Sequence, residues 1–378
     1  MKEFKSSFYC GIQGSLIGEV TFKKEAFYSR AKKIFVADKL DLSALGYEAC
    51  ITKGEKGAFF YPAHVYHADW SDKLHNGDII HINNKGEVSV LWEVEARDNV
   101  LFLTESCNCN CIMCPQPPKK HDKFLIETAN NVLDLIRCRD IKSICITGGE
   151  PTLLGNAFIK ILRRCTQEHP DAHIYILTNA KKFSDRDFAR TVVENINNNV
   201  VFCISLHSEV DSLHDKIVGV RGSWEKTQNG IYNLAELGVQ IEIRHVITKL
   251  NYMHLCSFAE HMYNYMPFCV HYAFMGLEIH GNAWKHVDDV YISPNIYKQY
   301  LKKAVLDMHR KGLPVSIYNI PLCLCDTQVH RFAKKSISGW KNIFLDQCDS
   351  CEAKDRCAGF FSTSSILPLE DIKPLIQH

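Results

Sequence analysis

"CNCNCIMCPQPP", Cys107 to Pro118, places four cysteines within eight residues and sets three prolines close behind them. Cys107, Cys111 and Cys114 follow the spacing C-x-x-x-C-x-x-C, and Cys109 breaks it. Thiols this close suit a redox pair, a zinc knot or an iron–sulfur cradle. A structural zinc site takes four ligands, usually as two pairs with a longer stretch between them. A bacterial ferredoxin run is C-x-x-C-x-x-C with a further cysteine beyond it. Three thiolates on one tight loop suit a different object, a 4Fe–4S cluster with one iron left open for another ligand.

Outward from this loop the chain alternates. "NVLFLTES" precedes it as a short β-forming run, and "FLIETANNVLDLIRC" follows with Leu, Ile and Val at helical spacing. "SICITGG" and "NAFIKILRRC", "HIYILTNA" and "DRDFARTVVENI", and "VVFCISLHS" and "EKTQNGIYNLAELG" repeat the pair, with Gly238 placed as a helix stop. "QIEIRHVIT" with "MHLCSFAEHMYNY" and "VHYAFMGLE" with "NIYKQYLKKAVLDMHRKG" complete the series. Strand–helix units in such succession predict an α/β fold with a parallel sheet and helices outside it. Six units over roughly 200 residues predict an open or partial version of the eight-fold (β/α) barrel, with chemistry at the C-terminal strand ends.

Residues 1–98 differ in texture. "GEVTFKK", "KIFVADK", "YEACITKGEKG" and "GDIIHINNKGEVSVLWEVEA" read as short strands broken by Gly, Asn, Asp and Lys turns, a small β-rich domain without a clear catalytic constellation. Residues 99–313 form the partial barrel. Residues 314–378 lose the helical rhythm and become a Cys-rich tail, and a loop-rich segment without its own core commonly needs a metal or cluster.

The bulk composition agrees with an intracellular metal or redox protein. The 378 residues carry 44 basic and 43 acidic side chains, a formal charge of +1, so no basic face for nucleic acid is implied. The start lacks a secretory signal, and no apolar run approaches the roughly 18 residues of a membrane span. A cytoplasmic location is the expectation. In a reducing cytosol, seventeen cysteines argue for metal or redox use over disulfides. Four of them cluster at 107–114 and five at 323–357. The other eight sit among apolar neighbours and read as small buried hydrophobes.

C-x-x-x-C-x-x-C after the first strand of a partial barrel resembles the radical S-adenosylmethionine (SAM) superfamily. The resemblance implies that Cys107, Cys111 and Cys114 bind three irons of a 4Fe–4S cluster, with Met113 beside it. The amine and carboxylate of S-adenosyl-L-methionine would then chelate the fourth iron. "ITGGEPTL" strengthens the likeness. Gly148, Gly149, Glu150 and Pro151 end the second strand, where the family's motif contacts the methionine amine. Glycines there let backbone approach a ligand closely. In "LTNA", Thr178 and Asn179 match a Ser/Thr-Asn-Gly segment near the cofactor, with Ala180 in place of the glycine. In "ISLHS", Ser205 matches a position that bonds the ribose or methionine moiety. "DKIVGVRGSW" resembles a loop usual in peptide-modifying members, and Arg244 in "IEIRHVIT" is a candidate partner for the cofactor carboxylate. Thr178 and Asn179 equally read as a turn, and Arg244 as half of a structural ion pair.

In the tail, "PLCLCDT" carries Cys323 and Cys325, and "DQCDSCEAKDRCAGFF" carries Cys348, Cys351 and Cys357. The spacing resembles the auxiliary-cluster tails, SPASM and the shorter twitch type, of radical peptide maturases. The resemblance implies one auxiliary 4Fe–4S cluster on Cys323, Cys348, Cys351 and Cys357, with Cys325 spare or replacing Cys323. A zinc site with four cysteine ligands is the competing reading. "CIMCPQPPKK", "FMGLEIHGNAW" and "SISGWKNIFLDQCDSCEAKDRCAGFF" together resemble the C-type radical maturase of the His-Xaa-Ser system (HxsC).

That family resemblance implies an enzyme acting on a ribosomally made precursor peptide, beside a second radical SAM maturase and an electron donor such as flavodoxin or ferredoxin. It implies reductive cleavage of S-adenosylmethionine to a 5′-deoxyadenosyl radical, which abstracts hydrogen from the peptide. Two other readings stay open: radical chemistry on a small molecule in cofactor biosynthesis, and a non-enzymatic iron–sulfur electron carrier or metal-stabilised binding protein. Glu278 and His280 would face the substrate side of the barrel mouth or simply form its polar rim. No residue is singled out as a catalytic acid or base.

Overall fold

A computed structural model describes residues 2–6, 8–12, 14–38, 44–53, 63–66, 70–119, 124–339, 341–364, 366 and 371–376. The end of "YEACITKGEKG", from 54 on, and Trp340 of "SISGWKNIF" lie outside them. The chain divides into two compact units: Met1–Leu103 with Lys123–Ile146 and Lys160–Ile174, and Thr104–Asp122 with Thr147–Ile159 and Tyr175–His378.

The first unit is built on an eight-stranded sheet. Its order is Lys2–Phe4, Val88–Trp92, Ile79–Ile82, Leu16–Thr21, Lys33–Ala37, Ala49–Thr52, His64–Tyr66 and Phe8–Cys10. Val88 and Val90 alternate with half-exposed Ser89 and Leu91, the pattern of a sheet with one face in a core. That core gathers Val20, Ile34, Val36, Ile51, Val65, Ile80 and Trp70. Two strands of the βα series begin here: β1 (Asn99–Phe102) and its neighbour β2 (Ser143–Thr147). Helix α1 (Leu125–Ile136) buries Ala129, Val132, Leu133 and Ile136, the apolar stripe that its sequence spacing predicts.

The second unit continues the series. Strands β3 (His173–Thr178), β4 (Val200–Ser205), β5 (Gln240–Val246), β6 (His271–Met275), β7 (Val315–Tyr318) and β8 (Ala333–Lys334) are successive neighbours. From β4 to β8 the pairings are parallel. Register sets Ser205 opposite Arg244, Arg244 opposite Ala273, and Ala273 opposite Ser316, so these residues form one layer across the sheet. Helices α2 (Asn156–Glu168), α3 (Arg186–Val193), α4 (Asp211–Val218), α5 (Ser223–Glu236) and α6 (Leu255–Tyr265) fill the crossovers, α2 lying partly in the first unit. Gly238 follows α5 at φ +74°, the left-handed stop expected of it. Parallel pairing runs on beyond residue 314 through β7 and β8, so the sheet enters the segment read from sequence as irregular tail. A two-stranded antiparallel hairpin, Asn342–Ile343 with Phe360–Phe361, closes the tail.

Candidate active site

The Cys107–Cys114 loop leaves the end of β1 and is fixed by backbone contacts within the second unit. Asn110 N donates to Val218 O (3.0 Å), Ile112 N to Ile217 O (3.0 Å) and Cys114 N to Cys111 O (3.1 Å). Gly149 N donates to Thr104 O (2.7 Å) and Glu150 N to Ser106 O (2.8 Å), which laces the Gly-Gly-Glu turn to the start of the loop. A Cβ on Gly148 would stand 2.6 Å from Thr104 O, and one on Gly149 would land on Ser106 O. The close approach expected of these glycines is therefore made to the chain itself.

Glu150 shares in that lacing. Its carboxylate is wholly buried and accepts from Thr152 N (3.2 Å), Thr152 Oγ1 (2.6 Å), Thr178 Oγ1 (2.8 Å) and Asn179 N (2.7 Å). Burial raises its carboxyl above the usual range, against the pull of these donors. These bonds make the carboxylate a tie between strand ends. Pro151, itself buried, opens the 3₁₀ turn that follows. Thr178 is buried against Glu150. Asn179 reaches the cysteine loop, with Nδ2 2.7 Å from Asn108 Oδ1 and 3.5 Å from Cys109 Sγ.

The four thiols of the loop divide by environment. Cys107, Cys111 and Cys114 are half-buried, and Cys109 is buried. Cys109 Sγ lies 3.6 Å from Lys181 Nζ and 3.8 Å from Ser223 Oγ. Hydrogen bonds from Cys107 and Cys111, with the Lys181 charge, favour its thiolate, and the same bond with burial holds the Cys107 thiol up. Burial raises Cys114, whose Sγ donates to Gln116 O at 3.0 Å. Met113 packs into an apolar group with Ile217, Ala283 and Val290. Three partly accessible thiols on one clamped loop fit a cluster held by three cysteines.

Ser205 lies half-buried at the end of β4. Arg244 pairs with Glu242 at 2.5 Å. Glu242 Oε2 also meets His271 Nδ1 at 2.9 Å, and His271 Nε2 lies 3.0 Å from Ser316 Oγ. Glu278 accepts from Lys341 Nζ (2.9 and 3.2 Å), and His280 is exposed.

In the tail, Cys323, Cys348, Cys351 and Cys357 line one small pocket with Leu322 and Phe344. Their sulfurs accept backbone N–H groups: Leu322 N and Gly359 N reach Cys357 Sγ at 3.4 Å, and Leu375 N reaches Cys351 Sγ at 3.4 Å. A backbone N–H of Lys373 serves Cys323, whose thiol burial pushes up to about 11. Such N–H···S bonds are how proteins tune cluster sulfurs. Cys325 is outside this lining, buried and pushed up to about 12 by burial. The tail thiols fit a second cluster.

Lys181 and Asn282 are the contributors that sequence reading missed. Lys181 Nζ donates to Asn108 O at 2.9 Å, and Asn282 Nδ2 donates to Cys111 O at 3.1 Å. A Lys-Lys pair after "LTNA" reads as solvated surface, and Asn282 stands far from the cysteines in sequence. Gly281, at φ +61° just before it, is the only local signal.

Residues 101–262 match the family model of the Radical SAM superfamily. That segment carries the first cysteine loop and is similar to the radical SAM class. An uncharacterized protein of Methanocaldococcus jannaschii, MJ0907, is 27% identical over 168 residues, 43% of this chain and 57% of its own length. A probable GTP 3′,8-cyclase of Saccharolobus islandicus is 26% identical over 221 residues, 55% of this chain and 67% of its own. The chain spans 57% of the first of these curated relatives and 25% of another, a putative glycyl-radical enzyme activating enzyme of M. jannaschii. Among solved structures, Streptococcus suis SuiB bound to S-adenosylmethionine has a TM-score of 0.48 at 16% identity, over 58% of this chain and 50% of that one. A likeness at that level carries no argument about function. No described helix is long and apolar enough to cross a membrane.

Proposed function

We propose that the chain is a radical SAM peptide maturase of the His-Xaa-Ser type, with one cluster on Cys107, Cys111 and Cys114 and an auxiliary one on Cys323, Cys348, Cys351 and Cys357. The observation that carries it is the first loop: three half-buried thiols, with Gly-Gly-Glu backbone, Asn179 and Lys181 holding the segment that bears them. When bound, a 4Fe–4S cluster with S-adenosylmethionine supplies a 5′-deoxyadenosyl radical. The chain's own residues orient and enclose. Ser205 is the candidate to bond the nucleoside or methionine part. Gly148, Gly149, Glu150, Pro151, Thr178 and Asn179 form the rigid backing of the cysteine loop, and Arg244, paired with Glu242, shares the sheet layer of Ser205. Rigid support of this kind keeps a reactive centre in a single geometry.

Among the described residues no three His, Cys, Asp or Glu side chains converge on one metal-ion position. For the tail thiols a zinc ion with four cysteine ligands is the competing occupant. The peptide substrate rests on the sequence resemblance to HxsC. A small-molecule substrate is the second reading, favoured by the likeness to a probable GTP 3′,8-cyclase. A cytoplasmic location goes with either.

The test is anaerobic reconstitution, then reduction with dithionite in the presence of S-adenosylmethionine. The expected product is 5′-deoxyadenosine, absent from the triple variant Cys107→Ala/Cys111→Ala/Cys114→Ala. Co-expression with a precursor peptide bearing His-Xaa-Ser repeats should change the peptide's mass. Product without any mass change would move the assignment to a small molecule, and no product would leave an electron carrier.

A further inference from the structure

The loop after β6 holds two sets of contacts that belong to different cysteine-rich segments. At its near end Glu278 accepts from Lys341 Nζ (2.9 and 3.2 Å) and from Thr363 Oγ1 (2.5 Å), and Ile279 N donates to Ser364 Oγ (3.1 Å). Lys341, Thr363 and Ser364 flank the hairpin that brackets Cys348, Cys351 and Cys357. At its far end Asn282 N donates to Cys114 O (2.8 Å) and Asn282 Nδ2 to Cys111 O (3.1 Å). Gly281, at φ +61°, packs so tightly that a Cβ would stand 2.8 Å from Cys114 O. Asn282 is 8% exposed, and His280 N to Glu278 O (3.0 Å) stiffens the span between.

We propose that residues 278–282 are a tie by which the tail fixes the position of the first cysteine loop, with Lys341, Glu278 and Asn282 as positioning residues. The assignment of that loop as a cluster cradle comes from the function proposed above; the tie itself is a property of the polypeptide. Five residues anchored at both ends by buried or half-buried hydrogen bonds have little slack, because a chain of that length spans only about 17 Å when fully extended. Asn282 caps both carbonyls of the Cys111–Cys114 turn, so any shift of residue 278 is felt where the thiols are set. The tail therefore does more than hold its own thiols: it pre-organises those at the barrel mouth.

Hydrogen exchange on the full chain without iron tests the tie. Lys341→Met should speed exchange of the Asn282 and Cys114 amides roughly tenfold, the effect of losing one charged hydrogen-bond partner. Lys311→Met, which removes an ion pair to Asp307 on the helix Pro294–Arg310, should leave both unchanged. Faster exchange confined to the hairpin amides of Lys341→Met would overturn the proposal. A second arm reads iron loss to a chelator from reconstituted Cys348→Ala/Cys351→Ala protein. Lys341→Met and Asn282→Ala should each hasten it, and the double variant should be no faster than Asn282→Ala; fully additive rates would overturn the tie. If wild-type chain takes up no iron, the cradle reading fails while the exchange result still decides the tie.

Discussion

Glu242 sits on β5 with His271 Nδ1 at 2.9 Å and Arg244 Nε at 2.5 Å. Burial raises its carboxyl, but the hydrogen bond from His271 and the charge of Arg244 outweigh that and bring it down to about 2, from an ordinary 4.5. The folded value lies below the unfolded one, so the contribution to stability is complete above about pH 4.5 and is lost as pH falls towards about 2. It amounts to about 3 kcal/mol. Urea midpoints measured across that acid range should fall steeply for the wild type and less so for Glu242→Gln. Lys181 makes a second prediction at this scale. The residue is 8% exposed, and its ammonium bonds Asn108 O at 2.9 Å. Lys181→Met strands that carbonyl and should destabilise the chain by roughly 1–3 kcal/mol. Thermal melts check this, and Lys181→Arg should recover part of the loss.

At the scale of elements, the strand–helix alternation was legible because period-2 and period-3.6 patterns are local: α1 buries the stripe its sequence shows. The sheet's continuation through Val315–Tyr318 and Ala333–Lys334 was not legible, since strands of four and two residues leave no measurable period. The candidate site was legible in its donors and less so in their tasks. Cysteine spacing is written in the sequence, whereas the partner of a side chain is set by tertiary neighbours. Thus Arg244 pairs with Glu242 two residues away, Glu150 accepts from Thr152, Thr178 and Asn179, and Asn282 arrives from a distant loop. The Gly-Gly-Glu turn yields a direct test. Gly149→Ala places a Cβ on the Ser106 carbonyl, and the clash should cost about 1–3 kcal/mol and displace the cysteine loop. A melt at lower temperature, with less iron bound after reconstitution, is the expected outcome.

Across the whole molecule, seven of the cysteines fall into two sets, three on the first loop and four around the tail pocket. Two 4Fe–4S clusters correspond to about eight iron atoms per chain, and Cys348→Ala/Cys351→Ala should reduce this to about four. Iron and zinc analysis of both proteins checks the count, and zinc in the tail would replace the second cluster. The central claim is that the first loop holds a cluster whose fourth iron is left for S-adenosylmethionine. Electron paramagnetic resonance of the reduced Cys348→Ala/Cys351→Ala variant, recorded with and without S-adenosylmethionine, tests it most directly. The expected result is a 4Fe–4S signal that changes shape when S-adenosylmethionine is added. A signal identical in both samples, or one that survives in a variant also lacking Cys107, Cys111 and Cys114, would contradict it.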